Sequence, residues 1–431
     1  MTDIDPTAAT PDLTASAGTS PAKPAAAPAD VATHATATVQ PGLTAVPRRH
    51  RGRLALAIVG IILVSVLALF VIVYLISGLG GDAFALGGIM ALIPLAIVFT
   101  AVRWIDRWEP EPRAAVIFAF LWGAAVAVLI ALIVGAELDA LIVAASLGDD
   151  FTYQFIGAAI QAPIVEEVGK GLGLLLLFWV ARKHFDGPVD GLVYAAWVAG
   201  GFAFTENILY FGSQLLDSGG FDGNVGEIFL IRGIMSPFAH VMFTACTGLA
   251  LGFAARRTGA IGAIGFFLVG LIPAILLHAL WNGALFFVTD FFGYYAIVQF
   301  PLFALGVGLI IFLRRQESKL THDRLAEYAS VGWFNPDEVS ALATPNGRRQ
   351  ALAWAGQKGK RKQMKRYIRD ATSLAFARQR IITGRGRIGA EADEAALLGA
   401  IVESRKALVG VGSAVTTSEP SSAGPTPHPA S

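Results

Sequence analysis

Apolar residues in this chain fall into long, nearly unbroken runs separated by short polar loops. The first extends from Leu54 to Ser77, and others follow at roughly 83 to 102, 114 to 135, 155 to 180, 189 to 212, 229 to 254, 260 to 286 and 291 to 313. At ~1.5 Å rise per residue each run can cross a ~30 Å hydrocarbon layer as a helix. The pattern predicts an all-α fold: a polytopic membrane bundle of about eight transmembrane helices, occupying residues 48–315. A cleavable signal peptide is the competing reading of the first run, but that run starts too far from Met1 and is too long for one.

The flanks read differently. Residues 1–47 are rich in Ala, Pro and Thr, cannot bury enough surface to offset the entropy of ordering, and predict a disordered arm. Residues 316–410 form a polar, basic stretch that predicts a small helical cytoplasmic tail. Within it Asn335-Pro336-Asp337-Glu338 has the form of a helix start, with Asn as cap, Pro at the first position and an acid three residues after the cap. Residues 411–431, rich in Ser, Pro and Thr, predict a disordered end.

Composition identifies the solvent. Hydrophobic residues make up 55% of the 431 and charged residues 15%, with a mean hydropathy of +0.60. Soluble domains carry roughly a quarter charged residues, so a water-soluble globular enzyme is excluded and membrane lipid becomes the surrounding partner. Cys246 is the one cysteine, which excludes an intramolecular disulfide and a cysteine-rich metal cluster. A net charge of +1 gives no argument for nucleic acid. The basic stretches from Lys358 to Arg369 and from Arg378 to Arg387 carry no reading motif; they read as solvated or as lying against an anionic inner leaflet.

Charge also alternates between loops. Arg103, Arg107 and Arg113, then Arg182 and Lys183, then Arg256 and Arg257, then Arg314 and Arg315 fall on one side with Arg48, Arg49, His50, Arg51 and Arg53. The opposite loops hold Asp and Glu but no Lys or Arg. Short cytoplasmic loops retain the basic excess, so both termini are expected in the cytoplasm.

The residues that lipid should exclude carry the chemistry. Glu166, Glu167 and Lys170 interrupt the fourth run, APIVEEVGKGLGLLLLFWV. Together they cost roughly 8 to 10 kcal/mol on insertion, against about 6 returned by the large apolar residues of that run. The helix should therefore bury them against partner helices or in a water-filled cavity. Glu166 and Lys170, four apart, suit an ion pair on one helical face; Glu167, turned about 100° away, is expected to need a different partner. The fifth run adds Phe202, Glu206 and Asn207, the sixth His240, and the seventh His278, Trp281 and Asn282. Counting from the outer ends, Glu166 and His240 lie roughly 16 Å deep, His278 about 12 Å and Glu206 about 9 Å, one layer in the outer half of the bilayer. His278 and Asn282, four apart, are expected to point into the same cavity.

Two or three carboxylates, two imidazoles and an amide in a partly dry cavity suit peptide hydrolysis. A glutamate can activate water as general base, and a second acid or a histidine can protonate the leaving amine. His278 or Asn282 can steady the oxyanion. In a second version Glu206, His240 and His278 hold zinc, with Glu166 or Glu167 as base. No HExxH is present, so zinc and a metal-free glutamate mechanism both stay open. Serine chemistry is weaker, since Ser236 precedes Pro237 and no Gly-x-Ser-x-Gly elbow occurs.

Glu166-Glu167-x-x-Lys170, Phe202-x-x-x-Glu206, the His240 segment and His278-x-x-Trp281-Asn282 resemble the motif set of the PrsW family of intramembrane proteases. The stretch Asp106-Arg107-Trp108-Glu109-Pro110-Glu111-Pro112 resembles that family's DRYEPEP segment, with Trp in place of Tyr. The resemblance covers roughly residues 85 to 310. The family is in turn similar to the CAAX-prenyl endopeptidase and bacteriocin-processing superfamily, with EExxxR, FxxxH and HxxxN motifs. Here Lys170 falls one residue before that Arg, and Glu206 replaces the His. The resemblance implies a multi-pass endopeptidase of the bacterial plasma membrane that cuts a single-pass membrane protein near the outer face, an anti-sigma factor being the known type of substrate. It also implies that the paired glutamates and both histidines are essential. Two rivals come from other classes. A proton-coupled transporter would use the buried Glu and His as a relay, but it calls for a path to both faces and often an internal repeat, and none is evident. A signalling scaffold would use the buried charges only to hold helices together.

Overall fold

Every regular element among the described residues is helical, as the long apolar runs require. The computed structural model describes residues 51–145, 149–182, 185–383 and 390–409. The expected disordered arm and disordered end lie outside them, as do Arg48, Arg49, His50, Lys183 and, in the second basic stretch, Arg385 and Arg387. In chain order the helices of the apolar part are α1 (Arg51–Ile105), α2 (Arg113–Leu121), α3 (Val128–Ala144), α4 (Asp150–Phe155), α5 (Ala162–Val180), α6 (Pro188–Asp217), α7 (Gly223–Phe229), α8 (Ala239–Arg257), α9 (Gly262–Ala284), α10 (Phe291–Tyr294) and α11 (Phe300–Ser330). The tail adds α12 (Pro336–Ala343), α13 (Pro345–Gln357), α14 (Arg361–Ile382) and α15 (Ala390–Val409). Wider π-helical turns join α2 to α3 (Trp122–Ala127), α4 to α5 (Ile156–Gln161), α7 to α8 (Leu230–Met235) and α10 to α11 (Tyr295–Gln299).

Among the described residues six stretches are helical, long enough and apolar enough to cross a membrane: Ile58–Ile105, Arg113–Ala144, Pro188–Asp217, Gly223–Arg257, Gly262–Ala284 and Phe291–Ser330. The expected runs map onto these with two differences. The fourth run is α5, whose three charges set it apart. The first two runs are the arms of α1, which break at Gly80, where φ is 74° and only glycine is unstrained. The chain reverses there. Leu79 and Ala83 both flank Gly212, whereas Gly60 faces Phe118 and Val98 faces Gly200, next to the Gly201 that touches Phe120. A straight helix would hold residues 60 and 98 roughly 57 Å apart.

Small residues let the central helices approach closely, the device that serves where lipid gives no hydrophobic driving force. A Cβ on Gly191 of α6 would lie 2.0 Å from the carbonyl oxygen of Gly248 on α8, and one on Gly123 would lie 1.8 Å from that of Val198 on α6. The outward faces are apolar: Val59, Phe70, Val269, Leu276 and Leu305 are all more than half exposed. Such a surface suits lipid and is costly in water.

The tail has a core of its own. Leu325 and Tyr328 at the end of α11 pack with Leu342, Met364, Leu374 and Ile401. Its first helix starts as expected: Asn335 is the cap, Pro336 opens α12, and the Glu338 carboxylate accepts from the Asn335 N–H at 3.3 Å. The tail is clamped to the segment between α1 and α2. Arg348 stacks on the Trp108 ring at 3.4 Å and donates to the Trp108 carbonyl at 3.0 Å, while the Trp108 indole N–H donates to Thr321 at 3.2 Å.

Candidate active site

The charged turn of α5 sits at the crossing of α5, α6, α8 and α9, roughly 21 Å along the helix from Val180 and the tail. Glycines spaced along α5 admit its neighbours. The Trp122 indole lies against Gly173 and donates to the Gly169 carbonyl at 3.0 Å, and Phe267 covers Gly171. Burial is nearly complete: Glu167 and Lys170 are 0% exposed, His278 1% and Glu166 9%. The insertion cost read from the sequence is thus met by partner helices.

Lys170 holds both glutamates. Its Nζ donates to Glu166 Oε2 at 3.2 Å and to Glu167 Oε1 at 2.9 Å. The expectation that Glu167 needs a different partner is corrected by helix geometry. Lys170 lies about 40° to one side of Glu166 and about 60° to the other side of Glu167 around the axis, so it sits between them. Glu167 does have further partners: it accepts from Thr244 at 2.8 Å through Oε2 and from His278 Nδ1 at 3.1 Å through Oε1.

The hydrogen bonds assign the histidine tautomers. Lysine has donors only, so His240 Nδ1, 3.0 Å from Lys170 Nζ, must accept. His240 Nε2 then carries the proton and donates to Glu206 Oε2 at 2.7 Å. Glu206 is held in turn by Arg232, whose Nη2 donates to the same oxygen at 2.7 Å and whose Nε donates to Asn207 Oδ1 at 3.2 Å. His278 gives its Nδ1 proton to Glu167, which leaves the Nε2 lone pair facing Glu166 Oε2 across 3.8 Å. Two acceptors face one another there, an arrangement that favours a shared proton, a water or a cation. Phe243 stacks on His278 at 4.8 Å and fixes its plane.

Glu166, Glu167, Lys170, Glu206, His240 and His278 therefore meet in one cluster, well inside the ~8 Å that proton transfer through one water allows. Asn282 does not join them. Its amide donates to the Ala158 carbonyl at 2.9 Å, tying α9 to the turn before α5. The zinc set read from the sequence also changes. The ligand atoms that gather within 4.8 Å of one another belong to Glu166, His240 and His278. Glu206 lies behind His240, with its inner oxygen shared by Arg232 and the imidazole. Ser236 donates to the Ile231 carbonyl at 2.7 Å and has no nucleophilic geometry. Trp281, with Met235, Phe238, Met242 and Tyr295, lines a cavity of about 200 Å³ next to Ala239, the residue before His240.

Sequence reading missed Arg232 and Thr244. Arg232 had a signal, an arginine inside an apolar run, and intramembrane ionisable groups are rarely idle. Thr244 had none, because an uncharged hydroxyl is common in helices.

The second cluster of acids surrounds Trp108, outside the membrane-length helices. Asp106 accepts from the Glu111 N–H at 3.0 Å, and Glu111 accepts from the Tyr194 hydroxyl at 2.5 Å. Arg380 of α14 reaches Asp186 at 2.5 Å. Burial pushes the Asp106 carboxyl up to about 6. It also raises Glu109 and Glu111 well above the carboxylate range, helped by the charge of Asp186 on Glu109 and of Asp190 on both.

A family model described as PrsW family intramembrane metalloprotease matches residues 111–306, a span that holds every member of the Lys170 cluster and stops before the tail. Protease PrsW of Clostridioides difficile (strain 630) is 30% identical over 161 residues, 37% of this chain and 62% of that protein. Protease PrsW of Oceanobacillus iheyensis is 28% identical over 162 residues, covering 37% of this chain and 67% of that protein. Protease PrsW of Geobacillus kaustophilus (strain HTA426) is 31% identical over 147 residues, covering 34% and 57%. The chain thus spans about three fifths of the length of these relatives. No solved structure matches it.

Proposed function

We propose that the chain is a PrsW-type intramembrane endopeptidase with Glu166 as its working carboxylate, a reading supported by the family model that matches residues 111–306 and by the three similar relatives. The observation that carries this is the difference among three buried acids. Glu167 is saturated by Lys170, His278 and Thr244, and Glu206 is held by Arg232 and His240. Glu166 has one donor, slight exposure and an open lone pair opposite His278 Nε2.

In this reading Glu166 takes a proton from the attacking water and hands it across the 3.8 Å gap to the Nε2 lone pair of His278, which, held in its tautomer by Glu167, passes it to the leaving amine as the C–N bond breaks. Glu206 performs the same orienting service for His240. Lys170 supplies positive charge where the scissile carbonyl oxygen becomes negative. The cavity beside Ala239 takes an apolar side chain of the substrate. An apolar cavity of about 150 Å³ already admits benzene, so about 200 Å³ suffices for Leu or Phe.

The family's description implies a metal ion, and the donors fit one. Glu166, His240 and His278 offer three ligand atoms, the number found at catalytic zinc, and each imidazole is backed by a carboxylate, Glu206 or Glu167, as ligating histidines usually are. When bound, such an ion would supply Lewis-acid polarisation of water and of the carbonyl, and Glu166 and His278 would then serve as its ligands in place of the proton-transfer roles given above.

On this reading the basic loops put both termini in the cytoplasm of a bacterium and the cluster in the outer half of its plasma membrane. A single-pass membrane protein cut near its outer end, such as an anti-sigma factor, is the substrate class this placement suits. The test is co-expression with such a substrate. Glu166→Gln and His278→Ala are expected to insert normally and stop cleavage; normal cleavage by both removes the assignment.

A further inference from the structure

The centre of the cluster already holds a cation of the chain's own. Lys170 Nζ lies 3.2 Å from Glu166 Oε2, 2.9 Å from Glu167 Oε1 and 3.0 Å from His240 Nδ1, and 3.9 Å above the Phe202 ring. Glu166 and His240 are also two of the three residues whose ligand atoms converge. Zinc binds such atoms at about 2.0–2.2 Å through lone pairs with no other partner. Glu166 has a second oxygen to offer, but His240 has no second nitrogen, because Nε2 donates to Glu206 at 2.7 Å. One lone pair on Nδ1 cannot serve an ammonium and a metal ion together.

We propose that Lys170 and a divalent metal ion are alternative occupants of this one site, so that Lys170 gates metal binding. The ammonium holds Glu166 and His240 where ligands are needed and keeps their charge balanced in the absence of metal. An arriving dication meets a like charge about 3 Å from its ligands in dry surroundings, where repulsion is strong. The flexible lysine stem can yield. Glu167, 2.9 Å away and not among the converging ligands, stays as a partner when the other two contacts are given up. The displacement is therefore a local swing of one side chain.

This inference concerns the site of the proposed activity but rests on its geometry alone, so its readout is metal binding rather than proteolysis. The full-length protein in nanodiscs is stripped with chelator and titrated with Zn²⁺ by calorimetry, alongside Lys170→Gln and Lys170→Arg. The expected result is one zinc bound at least tenfold more tightly by Lys170→Gln than by the wild type, with no gain for Lys170→Arg, which keeps the charge. Equal or weaker binding by a folded Lys170→Gln overturns the proposal. Because removing Lys170 leaves two buried carboxylates without their ammonium, the wild type supplies a second measurement. A structure of its zinc-loaded form should show Nζ withdrawn from His240 Nδ1. Zinc bound with that contact still at 3.0 Å contradicts it.

Discussion

The Lys170 cluster and the Trp108 layer are built from similar parts: buried acids, a few cations and an aromatic ring. Both carry segments that resemble family motifs. They differ in what is left open. Around Trp108, Glu111 accepts from Tyr194, Asp186 from Arg380 and Asp106 from a backbone N–H, while Arg348 and Thr321 clamp the indole between the tail and the rest of the chain. Around Lys170, a Glu166 carboxylate oxygen and His278 Nε2 face each other across 3.8 Å, beyond direct hydrogen-bond distance. Acids whose partners lie on other elements hold those elements together, whereas open acceptors in a dry site invite a water, a proton or a cation. On the proposed function, a strong sequence motif marks architecture in one place and chemistry in the other.

The sharpest way to break this comparison is to exchange one acid in each region. Glu166→Gln should slow cleavage of a reconstituted substrate about 10³-fold, the usual scale for a lost general base. Glu111→Gln should slow it by less than about tenfold; comparable losses would erase the distinction. Next in size is Glu167→Gln, which leaves the fully buried Lys170 with one carboxylate partner fewer. Breaking a buried pair costs about 3–5 kcal/mol, so thermal unfolding should show a large loss of stability together with lost activity. Arg348→Ala should act on the tail alone. Removing a desolvated cation–π contact costs about 2 kcal/mol, visible as faster proteolysis of α12–α15 with cleavage of the substrate little changed.

The smallest effect concerns pH. The Asp106 carboxyl is raised from 3.8 to about 6, so the folded state holds its proton more tightly than the unfolded one. Its neutral form favours folding at low pH, and that advantage is lost as pH rises from about 4 through 6. The segment from Asp106 to Pro112 should loosen across that window in limited proteolysis, and Asp106→Asn should flatten the dependence. A segment that tightens with rising pH would show that Asp106 is not held in its neutral form.

Much of the fold was legible because lipid imposes a coarse code: apolar runs became helices, and the Asn335 cap and the Glu166–Lys170 pair depend on spacings that one helix decides locally. That Glu166, Glu206, His240 and His278 share one depth layer, a condition for their meeting, was legible from the count along each run. What stayed hidden depends on rotation and on contacts between helices. The Thr244 support and the turn of Asn282 toward Ala158 follow from how α5, α8 and α9 face each other, which a one-dimensional depth count does not contain, whereas the bond of Lys170 to Glu167, an i,i+3 pair within α5, had a local spacing that sequence reading passed over. The same limit explains why Glu206 was read as a ligand and is found behind His240.

The central claim is that Glu166 and His278 act as one unit across their 3.8 Å gap. The most direct measurement is a double-mutant cycle on cleavage by the purified full-length protein, with Glu166→Gln, His278→Ala and the pair. Groups that act together are not additive. The double variant should be no more than about threefold slower than the slower single variant. A double variant slowed by the product of the two single effects, or a single variant that cleaves at the wild-type rate, would contradict the account.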